Sequence, residues 1–262
     1  MTKHLQTAKT RAILNLAGFT GVVVVNILAD ALPINGLTTG EISDLYPNLF
    51  TPAGFTFSVW GLIYLLLAAF TVYSLVQVHR RNETVAAHVN RIGAWFFISC
   101  LANIGWIFAW HGGMLPVSVA VMLLLLLSLC MIYVGLRKQP VLHTRAEHAL
   151  LRRPFSVYLG WITVATMANI TALLVHLEWD GWGLGDDFWL STLLVVAILL
   201  TLYIGLKKSD GSYTAVVIWA LIGIVIQRNR EHTTHLTGFY IAVTGIALLS
   251  FVLLYRLARM RR

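Results

Sequence analysis

The chain has 262 residues, of which 58% are apolar and only 11% are Asp, Glu, Lys or Arg. Ordinary soluble domains are roughly 45–50% apolar and about 25% charged, so this composition, with a mean hydropathy of +0.77, excludes a soluble globular protein. The net charge of +8 would suggest nucleic-acid binding in a soluble chain. Here the basic residues lie in short connections between apolar blocks, where they set membrane orientation, so no nucleic-acid partner is expected.

Apolar blocks about 20 residues long, the length that crosses a hydrocarbon core of about 30 Å, predict the fold class. A helix satisfies its own backbone hydrogen bonds in lipid. The sequence therefore predicts an all-α, polytopic transmembrane helical bundle of about eight spans. The seventh block is the weakest because it is short and contains Trp219 and Gln227. The eight blocks are residues 12–32, 55–78, 92–111, 115–136, 155–177, 188–206, 213–227 and 236–255.

The distribution of basic residues predicts the orientation. If the N-terminus is cytoplasmic, every Lys and Arg except Arg228 and Arg230 falls on the inner side, as the positive-inside rule requires. Both termini are then cytoplasmic, and a bacterial cytoplasmic membrane is the expected location. The first block also resembles a secretory signal with a cleavage site at residues 29–31, which is the alternative to a retained span. In either case residues 33–54 lie outside.

The best internal boundary is the acidic, Gly- and Trp-rich connection at residues 178–187. It predicts a five-helix unit at residues 1–177 and a three-helix extension at residues 178–262. Cys100 and Cys130 both fall inside apolar blocks and are interpreted as packing residues. Two clusters, one with His143, Glu147 and His148 and one with Glu231, His232 and His235, lack metalloprotease spacing, so no metal site and no catalytic residue is predicted.

Aromatic and amide residues recur at helical spacing in the outer half of the first five spans. The third span carries Asn103, Trp106 and Trp110 on one face, and the fifth carries Tyr158, Trp161, Ala165 and Asn169. The second begins with Phe57, Trp60 and Tyr64, and the outer end of the first has Asn26 and Asp30.

Amide and carboxylate groups are costly in lipid unless they meet a partner or a cavity. We therefore expect Asn26, Asp30, Asn103 and Asn169 to face the interior, where the aromatic rings surround a few polar groups. Such a lining suits a flat, mainly apolar ligand that stacks on Trp and is oriented by hydrogen bonds. The alternative is structural: Trp is enriched at membrane interfaces, as at Trp110, Trp179, Trp182 and Trp189, and a buried Asn can join helices.

These residues resemble the translocator protein family, also called tryptophan-rich sensory proteins or peripheral benzodiazepine receptors (TspO/MBR). The family pattern has Trp-x-Pro-Pro, then Phe-x-x-Val-Trp-Thr and Leu-Tyr, then Asn-x-x-Trp in the third helix. Its fifth helix has Pro-Tyr-x-x-Trp, followed by Ala and Asn at intervals of four. The matching residues here are Pro52, Phe57, Val59, Trp60, Tyr64, Asn103, Trp106, Tyr158, Trp161, Ala165 and Asn169. The departures are Phe50 for Trp, Ala53 for the second Pro, Gly61 for Thr, Ile63 for Leu and Val157 for Pro.

The resemblance covers roughly residues 12–177, and it implies a five-helix bundle whose first loop, residues 33–54, lids a cavity in one leaflet. Family members bind porphyrins, sterols and synthetic aromatic ligands, usually as dimers. The implied function is a membrane binding or sensory protein that requires no cofactor and takes a porphyrin-, haem- or sterol-type ligand. The expected ligand-binding residues are Asp30, Phe57, Trp60, Tyr64, Asn103, Trp106, Trp110, Trp161, Ala165 and Asn169.

Two other functions remain open. A small membrane transporter of a hydrophobic or amphipathic substrate is the main alternative, because three added helices could supply a moving partner bundle. An intramembrane enzyme has weaker support, since Asp30 and His176 form the best acid/base pair in the sequence. The expected partners include membrane lipid. A homodimer is also possible from the sequence, because Gly238 and Ala242 form a small-xxx-small pair, although such a pair equally serves packing within one chain.

Overall fold

A computed structural model of the protein describes residues 3–32, 36–138, 144–230 and 236–260. Short 3-10 helices at Gly54–Ser58 and Gly181–Gly183 and a π-helical turn at His148–Arg152 accompany the α-helices. The α-helices are α1 (Lys3–Ala31), α2 (Thr39–Asp44), α3 (Val59–His79), α4 (Glu83–Ile92), α5 (Trp95–His111), α6 (Leu115–Arg137), α7 (Arg145–Glu147), α8 (Arg153–His176), α9 (Asp186–Lys207), α10 (Gly211–Arg230) and α11 (Leu236–Met260).

The long helices confirm the predicted polytopic membrane protein. Among the described residues, 7 helices are long and apolar enough to cross a membrane, and α4 with α5 makes an eighth candidate that is bent by 48°. Large apolar side chains on these helices are exposed, for example Leu65 at 72% and Phe251 at 68%. Such faces suit lipid and would be unfavourable in water.

Helix α10 confirms the predicted seventh span, which is 20 residues long in the structure. Its first turn is held by the Asp210 carboxylate, which accepts a hydrogen bond from the Tyr213 N–H at 3.1 Å. The Tyr213 side chain is buried, and its hydroxyl donates to Thr163 Oγ1 at 3.1 Å. The neighbouring helix therefore fixes α10 although its sequence is the least apolar of the spans.

Two helical segments were not predicted from the apolar blocks. Helix α1 begins at Lys3, ahead of the block at 12–32, and α4 lies between two predicted spans. Both segments are too polar for a hydropathy scan, but they pack together: the Arg11 guanidinium donates to the Asn90 carbonyl oxygen at 2.7 Å. The Asn82 side chain caps α4 by accepting from the Val85 N–H at 3.1 Å.

The chain divides into two compact units. Unit 1 comprises Met1–Thr39 and Trp60–Leu159. In it α1 packs on α4 and α5, and α6 packs on the same two helices. Phe70, Phe96 and Phe155 are fully buried and contact one another edge to face, with ring centroids 4.8–5.6 Å apart. These rings join α3, α5 and the first part of α8.

Unit 2 comprises Gly40–Val59 and Gly160–Arg262. Helices α9, α10 and α11 pack against one another, and α10 also packs on the 3-10 helix Gly54–Ser58. The Gly238 N–H donates to Asp187 Oδ1 at 3.0 Å, which fixes the start of α11 against α9. Each unit consists of two segments that are separate in the sequence. The predicted boundary at residue 177 stays a prediction.

Candidate functional site

A chain of polar contacts joins three helices inside unit 1. The Asn26 side-chain amide on α1 donates to Asn103 Oδ1 on α5 at 2.8 Å and to the Val22 carbonyl oxygen at 2.8 Å. The Asn103 amide donates in turn to the Tyr158 hydroxyl on α8 at 3.2 Å. Asn103 is 0% exposed, so this polar chain lies within the protein.

Aromatic rings of α3 adjoin this polar chain. The Trp60 ring lies edge on to the Tyr158 ring, with centroids 5.8 Å apart. Trp60 is also stacked on Tyr64 at 5.6 Å with an interplanar angle of 24°. We call Asn26, Asn103, Tyr158, Trp60 and Tyr64 the amide–aromatic cluster. The structure thus brings together four helices at residues that the sequence pattern selected, and it adds Asn26 and Tyr158 to the expected site list.

Trp106 and Trp110 continue the same helix beyond Asn103. Their rings are stacked at 5.7 Å with an interplanar angle of 20°, and both side chains are buried. The Trp110 indole N–H donates to the Thr39 carbonyl oxygen at 3.2 Å. Trp110 is therefore buried inside the protein, whereas the alternative interpretation of the sequence placed it at the membrane interface. Thr39 was not selected from the sequence because it takes part through its backbone carbonyl oxygen, and a backbone contact carries no periodic signal.

Four of the expected site residues belong to unit 2. Phe57 lies edge on to Trp161, with centroids 5.8 Å apart and an interplanar angle of 81°. Trp161 is buried, Ala165 is half-buried, and Asn169 is 3% exposed on the same helix. These contacts confirm that Trp161 and Asn169 face the protein interior; their role toward a ligand stays a prediction.

The expected interior position of Asp30 is wrong. Asp30 is exposed, whereas Asn26 is only 8% exposed. The physical reason is its place in the last turn of α1, which ends at Ala31. A carboxylate at a helix end can keep its hydration, so it need not turn inward as an ionised group in mid-span would.

The loop that the resemblance describes as a lid contacts a helix outside the expected five-helix unit. Within unit 2, the Ala53 N–H donates to the Gly223 carbonyl oxygen of α10 at 3.1 Å. The Trp219 indole N–H, also on α10, donates to the Thr56 carbonyl oxygen at 3.0 Å. Phe55 lies edge on to Trp219 at 5.3 Å. The sequence signal for this contact is Trp219 itself, a single indole in an aliphatic span.

Glu147, one residue of the two His/Glu clusters for which no metal site was predicted, caps a helix in the structure. Glu147 closes a capping box: its carboxylate accepts from the Thr144 N–H at 3.0 Å, and its own N–H donates to Thr144 Oγ1 at 3.1 Å. His143 and the group Glu231, His232 and His235 lie outside the described residues. Among the residues that the structure does describe, no group of three or more His, Cys, Asp and Glu could hold a metal ion.

A protein-family model described as TSPO-like protein matches residues 12–255. No curated protein and no solved structure matches the chain. The matched region continues past residue 177, where the sequence resemblance was expected to end, and takes in α9, α10 and most of α11. With its long apolar helices, the chain is a multi-pass integral membrane protein that belongs to the TSPO-like protein family.

Proposed function

We propose that this protein binds a flat, mainly apolar ligand of porphyrin or sterol type at the amide–aromatic cluster and the neighbouring Trp106–Trp110 stack. The observation that carries the proposal is the contact chain from Asn26 through Asn103 and Tyr158 to Trp60. It places two amides beside large aromatic rings in a buried part of a membrane protein. A site for a hydrophobic ligand is usually lined by many apolar side chains and a few polar groups.

The ring geometry supports a flat ligand. Trp60 with Tyr64 and Trp106 with Trp110 form two stacked pairs whose ring planes are within 24° of parallel. Offset stacking on such rings contributes about 0.5–1.5 kcal/mol per pair beyond the buried area. A planar macrocycle or a fused ring system offers the matching face, whereas a flexible acyl chain would gain less from it.

The amides support orientation by hydrogen bonds. An Asn side chain has two N–H donors and an oxygen with two lone pairs. The bonds from Asn26 and to Tyr158 use one lone pair and one N–H of Asn103. The second N–H of the Asn103 side chain can therefore donate to a ligand carbonyl or carboxylate, and the second lone pair can accept from a ligand ring N–H, while both bonds within the protein are kept. Phe57, Trp161, Ala165 and Asn169 of unit 2 stay ligand-binding residues on the family resemblance alone.

The test is a titration of the purified protein in detergent with protoporphyrin, followed by Trp fluorescence and by the absorbance of the porphyrin. We expect saturable binding in the wild type. The double variant Trp106→Ala, Asn103→Ala should bind about tenfold more weakly or worse, since it removes a ring contact and a hydrogen bond to the ligand. Unchanged affinity in this double variant would refute the proposal.

The matched control is Trp95→Ala, at the first residue of the same helix α5. Trp95 is half-buried and lies eleven residues from Trp106, which is about 16 Å along a helix. The Trp95→Ala variant also lacks one Trp fluorophore but leaves the amide–aromatic cluster intact, so its affinity for protoporphyrin should equal that of the wild type. Equal weakening by both variants would show a general loss of fold and not the loss of a site.

A further inference from the structure

Arg228 and Arg230 are the two basic residues that depart from the predicted orientation of the chain, and the structure gives them opposite surroundings. Both lie in the last turn of α10, but Arg228 is 3% exposed whereas Arg230 is exposed. Burying a guanidinium is unfavourable unless the protein or a ligand supplies compensating charge and hydrogen bonds. Arg228 therefore places a buried positive charge at the end of α10, and the groups around it are of interest for a ligand.

Arg228 lines a polar cavity of about 360 Å³ that lies wholly within unit 2. The end of α10 supplies Gln227 and Arg228, and the first residue of α9 supplies Asp186. The 40–59 segment supplies Ser43, Asp44 and Thr51. We call this the Arg228 cavity. It differs from the amide–aromatic cluster because charged and hydroxyl side chains, and not indole rings, form its walls.

The 40–59 wall of the cavity is held by its own hydrogen bonds. The Asn48 side-chain oxygen accepts from the N–H groups of Phe50 and Thr51, each at 3.0 Å. Its amide donates to the Tyr46 carbonyl oxygen at 2.8 Å. Phe50 is 1% exposed and anchors the segment. This wall is therefore built in advance, as ligand sites commonly are.

The charges select a zwitterion. Asp44 and Asp186 are exposed at the cavity, while the guanidinium of Arg228 is buried in it. Two carboxylates would disfavour a simple anion, and a buried cation would disfavour a simple cation. A molecule with an ammonium group close to an anionic group satisfies both, with the anion on the planar guanidinium fork that suits phosphate.

We propose that the Arg228 cavity binds a phosphoethanolamine group, with the phosphate on Arg228 and the ammonium group toward Asp44 and Asp186. The cavity opens where a membrane-spanning helix ends, which is the depth of lipid headgroups. The same group occurs in a free small molecule and in phosphatidylethanolamine, and the site chemistry is common to both. This site is separate from the ligand site proposed above and does not depend on it.

The first arm of the test is calorimetric titration of the detergent-purified protein with O-phosphoethanolamine, and with glycerol phosphate, which lacks the ammonium group. The second arm compares thermal unfolding in nanodiscs of phosphatidylethanolamine with unfolding in nanodiscs of phosphatidylglycerol. Binding in the first arm identifies a free ligand; stabilisation by phosphatidylethanolamine alone identifies a lipid. In whichever arm responds, Arg228→Gln and Asp186→Asn should each weaken the effect about tenfold, because each removes one charge-assisted contact.

The matched control is Arg230→Gln, which removes the same charge from the same helix turn at an exposed position and should leave both arms unchanged. Asp186→Asn keeps the test decisive if Arg228→Gln does not fold, since Asp186 is exposed. No response in either arm, equal binding of glycerol phosphate, or equal loss in Arg230→Gln would overturn the proposal. A failed porphyrin titration would leave this result untouched, because the two sites share no residue.

Discussion

The close approach of the 40–59 segment to α10 depends on the missing side chain of Gly223. A Cβ at this position would lie 3.0 Å from the Pro52 Cβ and even closer to the Thr56 hydroxyl. The substitution Gly223→Ala must therefore displace the 3-10 helix, and it strains the bond from the Ala53 N–H to the Gly223 carbonyl oxygen. Overpacking of this kind costs about 1–3 kcal/mol, and we expect a loss of unfolding free energy in that range.

The assay is equilibrium unfolding in mixed micelles with increasing sodium dodecyl sulfate, together with hydrogen exchange of peptides from residues 40–59. The control is Gly61→Ala on α3, where the added Cβ would meet no atom within 4 Å. This control should change stability by less than about 0.5 kcal/mol, as substitutions away from packed features do. Equal unfolding of the two variants, with unchanged exchange in 40–59, would refute the argument that Gly223 sets the approach.

Two further predictions concern the buried polar chain and the orientation. Tyr158→Phe removes the acceptor of the Asn103 amide and should cost about 0.6–1.7 kcal/mol in the same micelle assay, while Tyr240→Phe, at a side chain that is 61% exposed, should cost nothing measurable. A reporter that is active only in the cytoplasm, fused after the last residue, should be active, because the positive-inside rule places the C-terminus on the inner side. An inactive reporter, together with activity of a second reporter that works only on the outer side, would show that the orientation is inverted.

The spans were predictable because hydropathy is a local property of the sequence. Each of the eight apolar blocks corresponds to a helix, including the weak block that forms α10. Helix α4 was not predictable in this way, because its buried Val85, Val89 and Ile92 alternate with polar residues. It is a packed amphipathic helix, which a search for continuous apolar segments does not detect.

The candidate site was predictable in part, for a similar reason. Asn103, Trp106 and Trp110 follow helical spacing, so their common face could be found from the sequence alone. The bond from Trp219 to Thr56 joins residues 163 positions apart, and no periodicity within one helix reports such a pair. Long-range partners of this kind are set by tertiary packing, which a single sequence does not display.

The polar chain through Asn103 also constrains the order in which the protein can assemble during synthesis. Helices enter the membrane from the N-terminus onward, so the Asn26 amide can reach Asn103 once α5 has been inserted. The second bond must wait for Tyr158, which arrives three α-helices later on α8. Until then an amide N–H lies in a low-dielectric region without its final acceptor, which is unfavourable. The arrival of α8 thus supplies the last partner of a polar chain that the earlier helices leave incomplete.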